Sequence, residues 1–388
     1  MLKKLKLFLL LLSVFTLSGC ATFESSYPNQ MHSVKSDLAN NQPESAYKNL
    51  QNKFRHDSTL YNLEQGRLEQ LNNKPQISLQ AYAKVIQTIQ TDRMKAKIQA
   101  SKILENTGAL LTNDRELPFE TPDYAMTFLY AYQALNYLSL KDLSNAVVSI
   151  RQLSQAQSWI RQQQDIANQS THIINEKYRN QEIDMDSLDF KKSQQIQFMY
   201  NQTQNITNAY ENGFSYYLAS LLYMTYGDYN NAMVSIKDAH RLLPDNRYVR
   251  QTYEEIEHGF NGSSSLPKDK GRLVILYEQD FVESKKAFQL PLFLGRLGAQ
   301  MISTPYYSGD SSHLHPFYIS IKDKKNKTLL VEQQSGELLT NTTKMAMKSL
   351  TEAYPAIITR EALRLIIKST ATYALQREDR KRNRNQFN

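Results

Sequence analysis

Residues 216–244, YYLASLLYMTYGDYNNAMVSIKDAHRLLP, limit the possible folds more than any other stretch of the chain. Apolar and small residues recur at helical spacing on both sides of Gly227-Asp228, a pair that favours a turn. Tyr216 is bulky, Ala219 and Ser220 are small, Tyr223 is aromatic one turn later, and Ala232, Ile236 and Ala239 continue the stripe. Small side chains let two helix backbones approach closely, and Pro244 cannot continue the second helix. The stretch therefore predicts a helical hairpin whose arms cross near Ser220 and Ala232.

The same offsets return twice upstream. Gly66, Ser78, Tyr82 and Val85 take the places of Ser220, Ala232, Ile236 and Ala239, with Lys74-Pro75 at the turn. Tyr130, Ala134, Tyr137, Ala146, Ile150 and Leu153 make another copy around Lys141-Asp142. Positions 78, 146 and 232 are separated by 68 and 86 residues, and 68 is twice a period of about 34. The pattern resembles the tetratricopeptide repeat (TPR), and a degenerate unit is expected near residues 92–113. The resemblance implies an array that holds a protein partner rather than one that performs chemistry. Tyr137, Tyr216 and Tyr223 are then candidate partner-binding residues.

Only 12 Gly and 11 Pro occur in 388 residues, so helix breakers are scarce and a mainly helical chain is expected. The net charge is +8, but Lys3, Lys4 and Lys6 supply three charges and residues 377–388 a net three more, leaving about +2 for the body. That distribution argues against a nucleic-acid-binding face. Residues 1–19 read as a signal peptide: three lysines, an apolar run too short to span a bilayer, then small residues. Leu17-Ser18-Gly19-Cys20 resembles the bacterial lipobox, which implies lipidation of Cys20, the sole cysteine. Ala21, in place of the Asp that retains many lipoproteins at the inner membrane, implies an outer-membrane anchor facing the periplasm.

Residues 20–42 are polar and read as a lipidated tether with at most a short helix near 31–39, and residues 43–260 read as the TPR-like domain. Pro118 and Pro122 mark a loop, and residues 161–206 carry Trp159-type apolar spacing of seven that predicts long helices bending near 184–189. Asn261-Gly262-Ser263-Ser264-Ser265 opens a linker, residues 261–270. Beyond it the period becomes strand-like. An inner strand is expected at 271–278, a second at 286–293, and a hairpin from 317–322 and 328–332. Helices at 342–354 and 356–377, separated by Pro355, close a small α+β domain of residues 271–376, and a basic tail follows at 377–388. The expected fold class is thus mainly α, a TPR-like array followed by a small C-terminal α+β domain.

Residues 134–138 with Ala146 and Arg151, the repeat 216–244, the strand-like 271–278 and the pattern 355–368 together resemble a family of Gram-negative lipoproteins that carry TPR units. The chain departs from that pattern at Asp280 and Ser284, where such relatives carry Gly and Pro. The resemblance implies a role in the cell envelope beside other lipoproteins, some related to activators of penicillin-binding proteins. Arg360, Arg364 and Lys368 repeat every fourth residue and form a basic stripe for an acidic partner or anionic headgroups. His313 and His315 alternate on an extended segment without a third ligand at metal spacing, and Glu278 has no second acid or nucleophile at a recognisable distance. The reading is a non-catalytic scaffold or adaptor with no cofactor and no metal, partnered by an envelope protein and not by nucleic acid. The alternative is a cell-wall enzyme or regulator of peptidoglycan synthesis, with Tyr277, Glu278 and the histidine pair lining a pocket.

Overall fold

The computed structural model describes residues 27–53, 58–99, 119–179, 190–260, 271–294, 298–309, 319–322, 328–332 and 336–386. They fall into two compact units, Met1–His56 and Asp57–Asn388. The signal peptide, Cys20, the linker 261–270, the bend at 184–189, His313 and His315 lie outside the described residues.

The first unit contains α1 (Tyr27–Ala39) and α2 (Pro43–Lys53), which corrects the expectation of a tether through residue 42. Met31, Val34, Ala46 and Leu50 are buried between the two helices. Asn49 donates to Asp37 at 2.7 Å and Lys53 to Ser33 at 2.6 Å, so polar side chains pair across the hairpin as well.

The second unit begins with three helical hairpins: α3 (Thr59–Leu71) with α4 (Pro75–Gln99), α5 (Asp123–Ser139) with α6 (Leu143–Arg179), and, after a 3-10 turn and α7 (Gln194–Gln202), α8 (Gly213–Tyr226) with α9 (Tyr229–Leu242). A last array helix, α10 (Arg247–Phe260), packs on α9. The three turns share one construction. Asn73, Lys141 and Gly227 hold positive φ of 57°, 62° and 86°. The next amide, of Lys74, Asp142 or Asp228, then bonds the carbonyl five residues back, of Glu69, Tyr137 or Tyr223. This is the left-handed helix stop that satisfies the last free carbonyls. Asp142 and Asp228 next cap the second helix by accepting from the amides of Asn145 and Asn231. Each left-handed residue lies five before the small residue at the crossing, Ser78, Ala146 or Ala232, and all three are fully buried.

The crossings are tight. A methyl on Gly66 would lie 2.3 Å from a ring carbon of Tyr82, and Ser78 Oγ donates to the Gly66 carbonyl at 2.6 Å. Gly66 and Ser78 are therefore what allow α3 and α4 to meet. The resulting core joins Tyr82, Leu129, Ile150, Leu222, Ile236 and Ile256 from successive helices. The fold is mainly α, a TPR-like helical array followed by a small C-terminal α+β part.

The C-terminal part differs in detail from expectation. Residues 271–279 form neither strand nor helix; burial alternates from Gly271 to Tyr277 as in an extended chain, with Val274 and Leu276 on the helical array. β1 (Lys286–Phe293) pairs antiparallel with β2 (Ala299–Tyr306), with Leu290 opposite Ile302. β3 (Ile319–Lys322) pairs with β4 (Thr328–Glu332), so there are two two-stranded sheets among the described residues rather than one. The two closing helices are one, α11 (Thr342–Gln386), which runs through Pro355. A proline inside a helix costs about 3 kcal/mol, but burying a large apolar side chain returns about 1.5 to 3 kcal/mol. Leu350, Tyr354, Ile358 and Leu363 flank Pro355 on one buried stripe, so packing wins over the break.

That stripe makes a second core with β1, β2 and Ile196 and Met199 of α7. The backbone amide of Tyr307 points at Met199 Sδ at 3.3 Å, and Tyr200 Oη donates to the Thr351 carbonyl at 3.2 Å. In space, α7 therefore belongs with the C-terminal part, while residues 271–279 belong with the array.

Candidate functional site

The first helices of the pairs, α3, α5 and α8, touch in sequence and α10 continues the row, making one face of the array. Residues 271–279 cross that face. Arg272, Val274, Leu276 and Glu278 share a side because side chains of an extended chain alternate. Val274 and Leu276 pack half-buried on the array core, between two polar clusters.

At one end Arg272 pairs with Glu255 of α10 and donates to Thr252 of α10 at 2.5 Å and to Tyr217 of α8 at 3.1 Å. At the other end Glu278 meets Arg67 of α3 at 2.5 Å. The Arg67 guanidinium lies 4.3 Å from the centre of the Tyr132 ring on α5. Burial works to lower the Arg67 pKa, but the Tyr132 oxygen and the Glu278 carboxylate outweigh it and hold the guanidinium above its usual value. Burial pushes the Tyr132 phenol up, although Arg67 opposes the shift, so the ring under the guanidinium stays neutral.

Arg67 is itself held in place. It donates to Gln70 at 2.6 Å, Gln70 donates to Asn136 at 3.0 Å, Asn136 to Ser78 at 2.7 Å, and Ser78 to the Gly66 carbonyl. The clamp on Glu278 is thus built on the crossing of the first pair. The two ends differ in strength. Side-chain exposures of 28% and 41% leave Arg67–Glu278 in the range of about 0 to 1 kcal/mol, whereas Arg272 and Glu255, at 18% and 12%, are better shielded from water. Between the clamps the segment has no backbone ladder to hold it, and Leu273, Ile275 and Tyr277 face outward at 75%, 47% and 53% exposure.

The residues singled out in the sequence take other places. Tyr137 is half-buried against the array core, and its carbonyl closes the α5 turn. Tyr216 is half-buried, with its hydroxyl 3.3 Å from Glu211. Burial and the Glu211 charge hold that phenol well above its usual range. Tyr223 is only 5% exposed, so its ring serves the core. On α11 Arg360 is half-buried, Arg364 is buried beside Glu361 at 2.6 Å, and only Lys368 is exposed, so the basic stripe turns inward. Cys20 lies outside the described residues.

Sequence reasoning missed Arg67, Tyr132, Tyr217 and Glu255. Arg272 and Glu278 were legible as one face of an alternating segment, but a strand pairing hid their partners on helices. Glu278, weighed above as a lone catalytic acid, has its carboxylate on Arg67. Among the described residues no three His, Cys, Asp or Glu side chains converge as a metal site, and no helix is long and apolar enough to cross a membrane.

No family model matches the chain, and no curated protein matches it. Among solved structures, the "TPR2AB-domain:pHSP90-complex of yeast Sti1" is similar at 10% identity and a TM-score of 0.23, covering 61% of this chain and 84% of that one.

Proposed function

We propose that the protein is a scaffold of the bacterial cell envelope, anchored in the outer membrane through Cys20, that presents the first-helix face of its array to another envelope protein. The observation that carries this reading is the face itself. Helices α3, α5, α8 and α10 form a continuous row with an extended chain lying across it, clamped at Arg272 and Glu278 and apolar on its outer side. A row of repeated helices with a solvent-facing apolar strip is built to cover another chain. The leader and the Leu17-Ser18-Gly19-Cys20 motif support the location.

Photo-crosslinking in intact cells tests both parts. A photoreactive residue at Tyr277, on the outer side of the segment that crosses the first-helix face, is expected to trap a discrete envelope protein, while one at Val234, exposed on α9, traps none. Equal trapping from both positions, or none from either, overturns the interaction surface. Cys20→Ser is expected to move the protein out of the membrane fraction; retention there overturns the anchor.

A further inference from the structure

We propose that residues 271–279 are a releasable strap, a segment that fills the first-helix face in cis and must leave it before an extended ligand binds there in trans. The inference rests on the array being an interaction surface, and not on where the protein resides.

Three observations carry it. The contacts are periodic: Arg272, Val274, Leu276 and Glu278 face the array at every second residue, and they reach α8 and α10 at one end and α3 and α5 at the other. That is how an extended peptide, advancing about 3.3 Å per residue, would read four adjacent helices. The ion pairs are at the two ends, with Val274 and Leu276 packed on the array core between them. Among the described residues the amides and carbonyls of Leu273, Val274, Ile275 and Leu276 make no hydrogen bond, so release breaks two clusters and no sheet. Finally, the outer side of the segment is apolar and uncovered at Leu273 and Ile275, which are 75% and 47% exposed. A partner that took the strap, or took its place, would bury what the closed form leaves wet.

The stop at the end of the strap fits this reading. Asp280, at φ 65°, turns the chain away from the face and uses its own carboxylate to accept from the Phe281 amide at 2.8 Å. An aspartate tolerates that left-handed conformation where most side chains do not. The strap is therefore a discrete piece ending two residues after its second clamp.

The ligand chemistry follows from the two clusters. A competing peptide needs a cation, two aliphatic residues and a carboxylate at successive alternate positions, to meet Glu255, the array core and Arg67. A closed strap lowers its apparent affinity by the fraction of molecules that are open.

The test uses a fluorescent peptide of residues 271–282 and the full chain, read by anisotropy. Three proteins are compared: the native chain, Glu278→Gln, and the double variant R272A/E278A. The double variant is expected to bind the peptide roughly tenfold more tightly than the native chain, as two partly exposed ion pairs are lost from the closed form, with Glu278→Gln between them. A peptide carrying R272A/E278A is expected to bind none of the three. Equal binding by all three proteins, or no binding by folded variants, overturns the strap. Loss of cooperative thermal unfolding in Glu278→Gln also overturns it, because the segment would then be part of the core. If Tyr277 still traps a partner in cells while the peptide fails, the strap falls and the scaffold stands. If the peptide binds but nothing is trapped, the interaction surface falls and the strap's ligand in trans falls with it.

Discussion

Arg67 and Glu278 are 211 residues apart in the chain and 2.5 Å apart in the fold, with the Arg67 guanidinium also 4.3 Å from the centre of the Tyr132 ring. The pair joins the first helix of the array to the segment that follows its last, so it reports whether the two ends of the array are in register.

Arg67→Lys keeps the charge but loses the planar fork that donates to Gln70 and Glu278 at once and stacks on Tyr132. The lost stacking is worth about 0.5 to 1 kcal/mol and the lost geometry of the ion pair up to about 1 kcal/mol. A fall of about 1 kcal/mol in unfolding free energy is expected in urea. An unchanged midpoint would mean that Lys reaches the same partners.

The hairpin crossings give a sharper test. Ala232 is fully buried on the helix that packs on α8, so a larger side chain is expected to push the helices apart. Ala232→Leu is expected to cost about 1 to 3 kcal/mol by overpacking, whereas Val234→Ala, two residues on and exposed, stays within about 0.5 kcal/mol. Thermal melts of the two variants decide it: equal midpoints would refute the crossing.

The repeat was legible because its constraints are local: a small residue, a left-handed stop five residues earlier, and a period. Those same signs were present at Asn41, Pro43, Ala46 and Leu50, which match Asn73, Pro75, Ser78 and Tyr82, and Asn41 holds a positive φ of 56°. The hairpin of α1 and α2 was overlooked because few apolar residues precede Asn41, although Met31 and Val34 suffice to bury one side. The strap was misread for the opposite reason. Alternation predicts an extended chain correctly but says nothing of whether its neighbour is a strand or a row of helices. Pro355 misled in a third way, since its local cost is outweighed by burial that only the fold reveals.

Asp123 and Glu352 give the pH dependence. Both accept from Gln164, at 3.1 and 3.5 Å, and burial raises both carboxyls above their ordinary values, with Lys348 working against the rise at Glu352. A raised pKa in the folded state means that the folded protein takes up protons before the unfolded chain does. The charged forms therefore cost stability at neutral pH, and the cost is relieved as pH falls through the raised values toward the ordinary 3.8 and 4.5. Asp123→Asn, which keeps an acceptor for Gln164, is expected to melt above the native protein at pH 7, with the gap closing as pH is lowered. A gap that widens on acidification would reverse the assigned sign.

The second core decides whether the C-terminal part stands alone. A piece beginning at residue 271 has β1, β2 and α11, and at more than a hundred residues it is long enough in principle to fold. Its core, however, takes Ile196 and Met199 from α7, both fully buried, and Tyr200 bonds the α11 backbone at Thr351. Removing two such side chains leaves cavities of the kind that cost about 2 to 5 kcal/mol each, comparable to the whole stability of a small domain. Residues 271–279 would at the same time lose the helices that cover Val274 and Leu276. The isolated piece 271–388 is therefore expected to show helix by circular dichroism without a cooperative melt, and co-expression with 1–260 is expected to restore one. A sharp melt of the isolated piece would show that α7 only rests on a core complete without it.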